Sequence, residues 1–183
     1  ADRIYTRLMH KSTGMMTGGE EVYISMADKA EKYCWFMTPY LIITDEMAHA
    51  LTLAAKRGVD VRIITPGIPD KKLVYNVTRS FYHELVKDGV RIYEWTPGFC
   101  HAKMSVADDC MATCGTINLD YRSLYHHFEN GCFMADCDAV QDIRNDLYET
   151  MKECREVTEK YRTGRSAYLR LGQLFMRLFA GLL

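Results

Sequence analysis

Three short runs rich in β-branched and aromatic residues, at 33–38, 59–65 and 90–94, alternate with two stretches of helical periodicity. The first stretch can be capped by Thr44 or Asp45, carries an apolar stripe on Met47, Ala48, Leu51, Ala54 and Ala55, and closes at Gly58. The second covers residues 70–87 and closes at Gly89. Strand, helix, strand, helix, strand with short links builds, by right-handed crossovers, a sheet with helices on its faces. That places the chain in the α/β class and excludes bundles and all-β sandwiches. Around this unit the pattern predicts a helix over 21–32, strands over 102–107, 111–115 and 131–135, and one long polar helix over 139–161.

A chain of 183 residues with 48% hydrophobic content can bury a core without disulfide or metal staples. The seven cysteines, Cys34, Cys100, Cys110, Cys114, Cys132, Cys137 and Cys154, include no C-x-x-C pair and read as reduced thiols. The Cys110/Cys114 and Cys132/Cys137 spacings lie in apolar runs without a knuckle glycine, which favours buried small hydrophobes over zinc. With 23 Lys and Arg against 24 Asp and Glu, the net charge of −1 supplies no field to draw the chain onto nucleic acid. The chain begins Ala-Asp-Arg-Ile, neither an initiator Met nor a signal peptide, and is expected to be part of a longer protein.

The chemistry is concentrated in one ordered series: His101-Ala-Lys103, Asp108, Gly115-Thr116-Ile-Asn118, Arg122-Ser123 and Glu129. Two residues apart on a predicted strand, His101 and Lys103 leave the same face. An imidazole beside an ammonium makes sense toward a phosphate. Lys103 and the Asn118 amide can hold the non-bridging oxygens while His101 attacks phosphorus. The Thr116 hydroxyl can add a hydrogen bond, and Glu129 can fix the tautomer of His101 through the other ring nitrogen. A His and a Lys two apart arise often by chance, so the weight lies in the whole series.

That series resembles the HKD motif of the phospholipase D superfamily. The runs Glu94-Trp-Thr-Pro-Gly-Phe-Cys-His-Ala-Lys103 and Gly115-Thr-Ile-Asn-Leu-Asp-Tyr-Arg-Ser123, with the turn Thr38-Pro-Tyr-Leu, are similar to the C-terminal half of the bacterial cardiolipin synthase family. The resemblance extends from about residue 20 to the end of the chain. It implies a phospholipase D-type fold with a mixed, mostly parallel sheet and one HKD repeat. It also implies phosphatidyl transfer between two phosphatidylglycerol molecules through a phosphohistidine, releasing glycerol and using no metal or cofactor.

On this resemblance His101 is the active-site histidine, Lys103 and Asn118 are phosphate ligands, and Glu129 is the orienting carboxylate. Asp108, at the D of the motif, is expected to brace a strand turn rather than touch substrate. Thr38 and Tyr40 can border the substrate groove, because ligands of α/β folds gather where sheet strands end. The family works with two HKD motifs, one histidine bonding to phosphorus while the other protonates the leaving oxygen. Here His10, His49, His83, His126 and His127 supply no second H-x-K. A second motif must come from an N-terminal half, together with any membrane anchors, or from a homodimer.

The expected organisation is a lead-in over 1–19, the HKD domain over 20–163 and a basic amphipathic helix over 164–183. Tyr168, Leu171, Phe175, Leu178 and Leu182 form one stripe of that helix, with Arg170, Gln173 and Arg177 opposite. It suits peripheral attachment to an anionic bacterial cell membrane and equally suits docking on protein. Two other functions compete. One is a homodimeric phosphodiesterase or nuclease, against which stand the charge, the lack of a basic aromatic track and the apolar tail. The other is a half-domain that pairs without turnover.

Overall fold

The computed structural model describes residues 3–9 and 18–163. In chain order the elements are β1 (Arg3–Met9), α1 (Gly18–Lys29), β2 (Tyr33–Met37), β3 (Leu41–Ile42), α2 (Asp45–Lys56), β4 (Asp60–Pro66), α3 (Lys72–Lys87) and β5 (Arg91–Trp95). They continue with β6 (Met104–Ala107), β7 (Met111–Gly115), β8 (Leu119–Asp120), a π-helical turn (Arg122–His126), β9 (Glu129–Ala135), α4 (Asp138–Lys152), β10 (Cys154–Glu156) and α5 (Thr158–Thr163).

Eight strands form one sheet in the order β1-β9-β7-β6-β2-β4-β5-β10, and β3 pairs with β8 in a small parallel sheet beside it. The alternating pattern lands in the middle as the parallel set β2, β4 and β5. Antiparallel ladders flank it, so that β1, β2, β4, β5 and β7 run one way and β6, β9 and β10 the other. This is the expected mixed α/β architecture.

Alternation along β2 serves two cores at once. Cys34 and Phe36 pack under α1, α2, α3 and α5, together with Val61, Ile63 and Ile92. Trp35 and Met37 pack on the other face with Ile64, Val106 and Met134, covered by Val140, Leu147 and Met151 of α4. Fully burying one such side chain contributes roughly 1.5–3 kcal/mol, and both faces of the parallel strands are covered, which is why they read as continuous apolar runs.

The helix ends follow from local chemistry. Thr44 caps α2 by accepting from the Met47 N–H at 3.1 Å and itself donates to the buried carboxylate of Glu20. Gly58 and Gly89, just past α2 and α3, take φ of +94° and +102°, a region costly for any residue with a Cβ.

Two expectations are corrected. The lead-in expected to be loose contains β1, which lies along β9 from Arg3↔Ala135 to Met9↔Glu129. The long polar helix is broken: α4 stops at Lys152, and residues 154–156 add a strand to the edge of β5 before α5 begins. Polar residues there look helical in isolation, but Arg155 lies opposite Glu94 in the ladder and donates to its carboxylate at 2.8 Å. Val157 N–H then bonds Ile92 O at 2.9 Å. The amphipathic helix expected over 164–183 lies outside the described residues. Among the described residues no helix is long and apolar enough to cross a membrane.

Candidate functional site

The site gathers where β6 begins and β2 ends. Met104 pairs with Met37 across this ladder, so Lys103 arrives beside Thr38. The expected strand over 102–107 starts only at Met104, and His101 and Lys103 sit in the segment leading into it. Their side chains nevertheless meet: Lys103 Nζ lies 2.9 Å from His101 Nδ1 and donates to the His101 carbonyl at 2.6 Å. Lys103 is buried, whereas His101 is exposed between the rings of Phe99 at 5.8 Å and Tyr40 at 6.5 Å between centroids.

Burial lowers the Lys103 pKa, opposed by the carboxylates of Glu129 and Asp120. His101 is lowered too, first by partial burial and then by the Lys103 charge, with Asp70 opposing. A charged ammonium can only donate, so Nδ1 accepts and the ring proton sits on Nε2. Replacing Lys103 with Met removes that positive charge and is expected to raise the His101 pKa toward its ordinary value. Titration of the ring resonances by NMR checks this; an unchanged midpoint would show the two groups to be uncoupled.

The remaining expected residues separate into two groups. Thr116 and Glu129 form a knot between β7 and β9: the Thr116 hydroxyl donates to Glu129 Oε2 and accepts from Asn130 N–H at 3.0 Å. Glu129 also faces His127 Nδ1 at 3.8 Å. Its carboxylate is thus engaged by Thr116 and His127, while the Nδ1 of His101 is taken by Lys103, so the expected bond from Glu129 to His101 is not made. What Glu129 contributes to the active pair is its field on Lys103.

Asn118 donates to Asp120 Oδ2 at 3.0 Å, and Asp120 Oδ1 accepts from Ser123 N–H at 2.7 Å, which starts the π-helical turn. Thr38 is buried, donating to Tyr40 O at 2.8 Å and accepting from Leu119 N–H at 3.1 Å, so it ties β3 to β8 instead of facing substrate. Tyr40 stands at the rim, its hydroxyl donating to Asp70 at 2.5 Å. Burial first, then the hydrogen bond to Asp70, raises its pKa.

Asp108 lies at the opposite end of β6, about 20 Å along the extended chain from His101. Held at φ +51°, it accepts from the N–H groups of Glu31, Lys32 and Tyr33 at 2.6, 2.9 and 2.9 Å. It therefore braces the turn between α1 and β2, far from His101.

A cavity of about 380 Å³ is lined by Tyr40, Lys71, Leu73, Asn118, Asp120 and Arg122, and Tyr40 is the ring that also stands against His101. Lys71 played no part in the sequence reading, and Asp120 and Arg122 entered it without a role. The signal for Lys71 was its place after β4, where ligands of parallel sheets collect. Buried polar groups in a cleft beside a His–Lys pair can bind an anion and protonate or attack it.

The sequence matches the family model described as "Cardiolipin synthase, PLD-like domain" over residues 23–151. It is 50% identical over 165 residues to an uncharacterized protein of Streptococcus mutans, covering 90% of this chain and 36% of that one. It is 35% identical over 164 residues to Cardiolipin synthase 2 of Bacillus cereus, covering 90% of this chain and 32% of that one. The chain thus spans about a third of the length of these curated relatives. Among solved structures, phosphatidylserine synthase of Haemophilus influenzae superposes with a TM-score of 0.74 at 16% identity, over 98% of this chain and 45% of that one. The phospholipase D family member Nuc from Salmonella typhimurium gives 0.70 at 16% identity, over 84% of this chain and 98% of that one. At such identities the likeness concerns the fold.

Proposed function

Because this chain belongs to the family of phospholipase D-like domains of cardiolipin synthase, we propose that it is one catalytic half of a phosphatidyltransferase acting on phosphatidylglycerol at a bacterial membrane surface. The observation that carries this reading is the contact of Lys103 Nζ with His101 Nδ1 at 2.9 Å. It sets one cation and one titrating ring side by side, which suits a phosphodiester and needs no metal or cofactor.

Which ring nitrogen holds the proton decides whether His101 can attack. With the proton on Nε2, as Lys103 dictates at rest, that nitrogen has no lone pair to offer phosphorus. When a phosphodiester arrives, its non-bridging oxygens compete for the ammonium, and the proton can then sit on Nδ1. Nε2 then attacks phosphorus and the bond to the leaving glycerol oxygen breaks, that oxygen taking a proton from a second histidine. The hydroxyl of another phosphatidylglycerol next attacks the phosphohistidine, returning its proton to the second histidine and freeing His101. Lys103 holds the charge that builds on the phosphate oxygens, while the Asn118 amide is committed to Asp120. The second histidine belongs to another HKD surface, an N-terminal half or a second copy of this chain.

Vesicles of phosphatidylglycerol test the reading, incubated with the chain alone and with a second HKD half added. Acid-labile phosphohistidine at position 101, with glycerol and cardiolipin as products, is the expected result. No glycerol release in either mixture would overturn it. The pH profile carries a sign: the attacking form is the neutral ring, so activity is lost as pH falls through a pKa that lies below the ordinary histidine value.

A further inference from the structure

The cavity beside His101 contains groups that the reaction above leaves unused. We propose that it is the headgroup site of the acceptor lipid, where Arg122 and Lys71 hold the acceptor's phosphodiester and Asn118 and Ser123 its glycerol hydroxyls. The inference rests on the transferase reading and assigns the second substrate a place.

Four observations converge. First, Ser123 is 4% exposed, yet among the described residues its Oγ has no hydrogen-bond partner. Second, the Oδ1 of Asn118, another lining residue, is buried and has no partner among the described residues, its amide nitrogen being turned to Asp120. Buried polar atoms are rarely left so without something that completes them. An acceptor oxygen and a hydroxyl are what a polyol matches: a ligand hydroxyl donates to Asn118 Oδ1 and accepts from Ser123 Oγ.

Third, Arg122, exposed in the cavity lining, has no carboxylate or carbonyl for its guanidinium among the described residues. The other arginines with described side chains each meet a carboxylate or a backbone carbonyl. Lys71, also in the lining, has an ammonium equally unengaged among the described residues, and its charge reaches His101. The carboxylate on this wall, Asp120, is occupied by Asn118 and the Ser123 N–H. Two free cations facing an occupied carboxylate favour an anion, and a guanidinium matches the paired oxygens of a phosphodiester.

Fourth, Tyr40 belongs both to the cavity wall and to the aromatic pair around His101, so a ligand here lies next to the reacting ring. Leu73, 56% exposed, and Val74 supply an apolar flank on which the lipid's glyceryl carbons can rest. About 380 Å³ is within the range of small-ligand sites and suits a glycerol phosphate diester.

Binding of the deacylated headgroup, glycerophosphoglycerol, tests this without turnover. The chain is titrated with it and, separately, with inorganic phosphate, followed by NMR or calorimetry. The diester is expected to bind more tightly than phosphate and to shift resonances of Asn118 and Ser123. Arg122→Gln is expected to weaken it about tenfold, and Ser123→Ala or Lys71→Gln roughly three- to tenfold. Lys152→Gln, on α4 across the sheet, should leave binding unchanged. Equal affinity in Arg122→Gln and the unaltered chain, or phosphate binding as tightly as the diester, overturns the site. Phosphohistidine at His101 without Arg122-dependent binding removes this site alone. Diester binding without any phosphohistidine removes the transferase reading, and with it the acceptor role.

Discussion

Replacing His101 with alanine is expected to lower turnover of phosphatidylglycerol by at least about 10³-fold, a barrier increase of roughly 4 kcal/mol. The ring is exposed and, among the described residues, its polar partner is Lys103, so its loss leaves both cores intact. Far-ultraviolet circular dichroism and the thermal midpoint should therefore match those of the unaltered chain. Rate loss with an unchanged fold separates a reacting group from a structural one. Turnover persisting within tenfold would mean that another nucleophile bonds to phosphorus, and the proposed chemistry would fall.

Gly115→Ala is expected to act on stability instead. A Cβ at this position would lie 2.3 Å from Asn130 O and 2.8 Å from Gly131 Cα, both backbone atoms of the facing strand. Backbone cannot turn aside as a side chain does, so β7 and β9 must part just where Gly115 opposes Gly131. We expect a loss of about 3 kcal/mol or more, which for a chain of this size is a fall of roughly 6–12 °C in Tm. Activity should fall with it, because the neighbouring knot of Thr116, Glu129 and Asn130 spans the same two strands. Gly98→Ala is the control: a Cβ there meets nothing within 4 Å. Equal melting of the two variants would refute the argument from close approach.

The central strands and α2 were legible because their signals are local. A cap at Thr44, a stripe at helical spacing and Gly58 at positive φ all act within one element. What escaped the sequence was set by distant partners. Residues 154–156 are polar and helix-compatible, and only the free edge of β5 makes them a strand. β3 and β8 are two residues each, too short to show any period. Around the site, the motif spacing brought out His101 and Lys103, but not that the lysine would cap the histidine's Nδ1 and leave Glu129 to Thr116. Side chains that meet from separate loops leave no periodic trace. Lys71 was hidden for that reason, since 30 residues divide it from the histidine it influences.

The carboxylate of Asp108, tied to three successive amides at the far end of β6, gives the motif's spacing a metric meaning. From His101 to Asp108 the chain crosses the sheet once, fastened at one end and carrying the histidine at the other. The interval is a gauge of strand length, and its residue count is set by the depth of the sheet. An added residue in β6 would invert the alternation along it, so that either the tether or the histidine faced the wrong way. Surface loops of this molecule can grow; this strand cannot, and the motif's last letter is the fixed mark from which the histidine's position is measured.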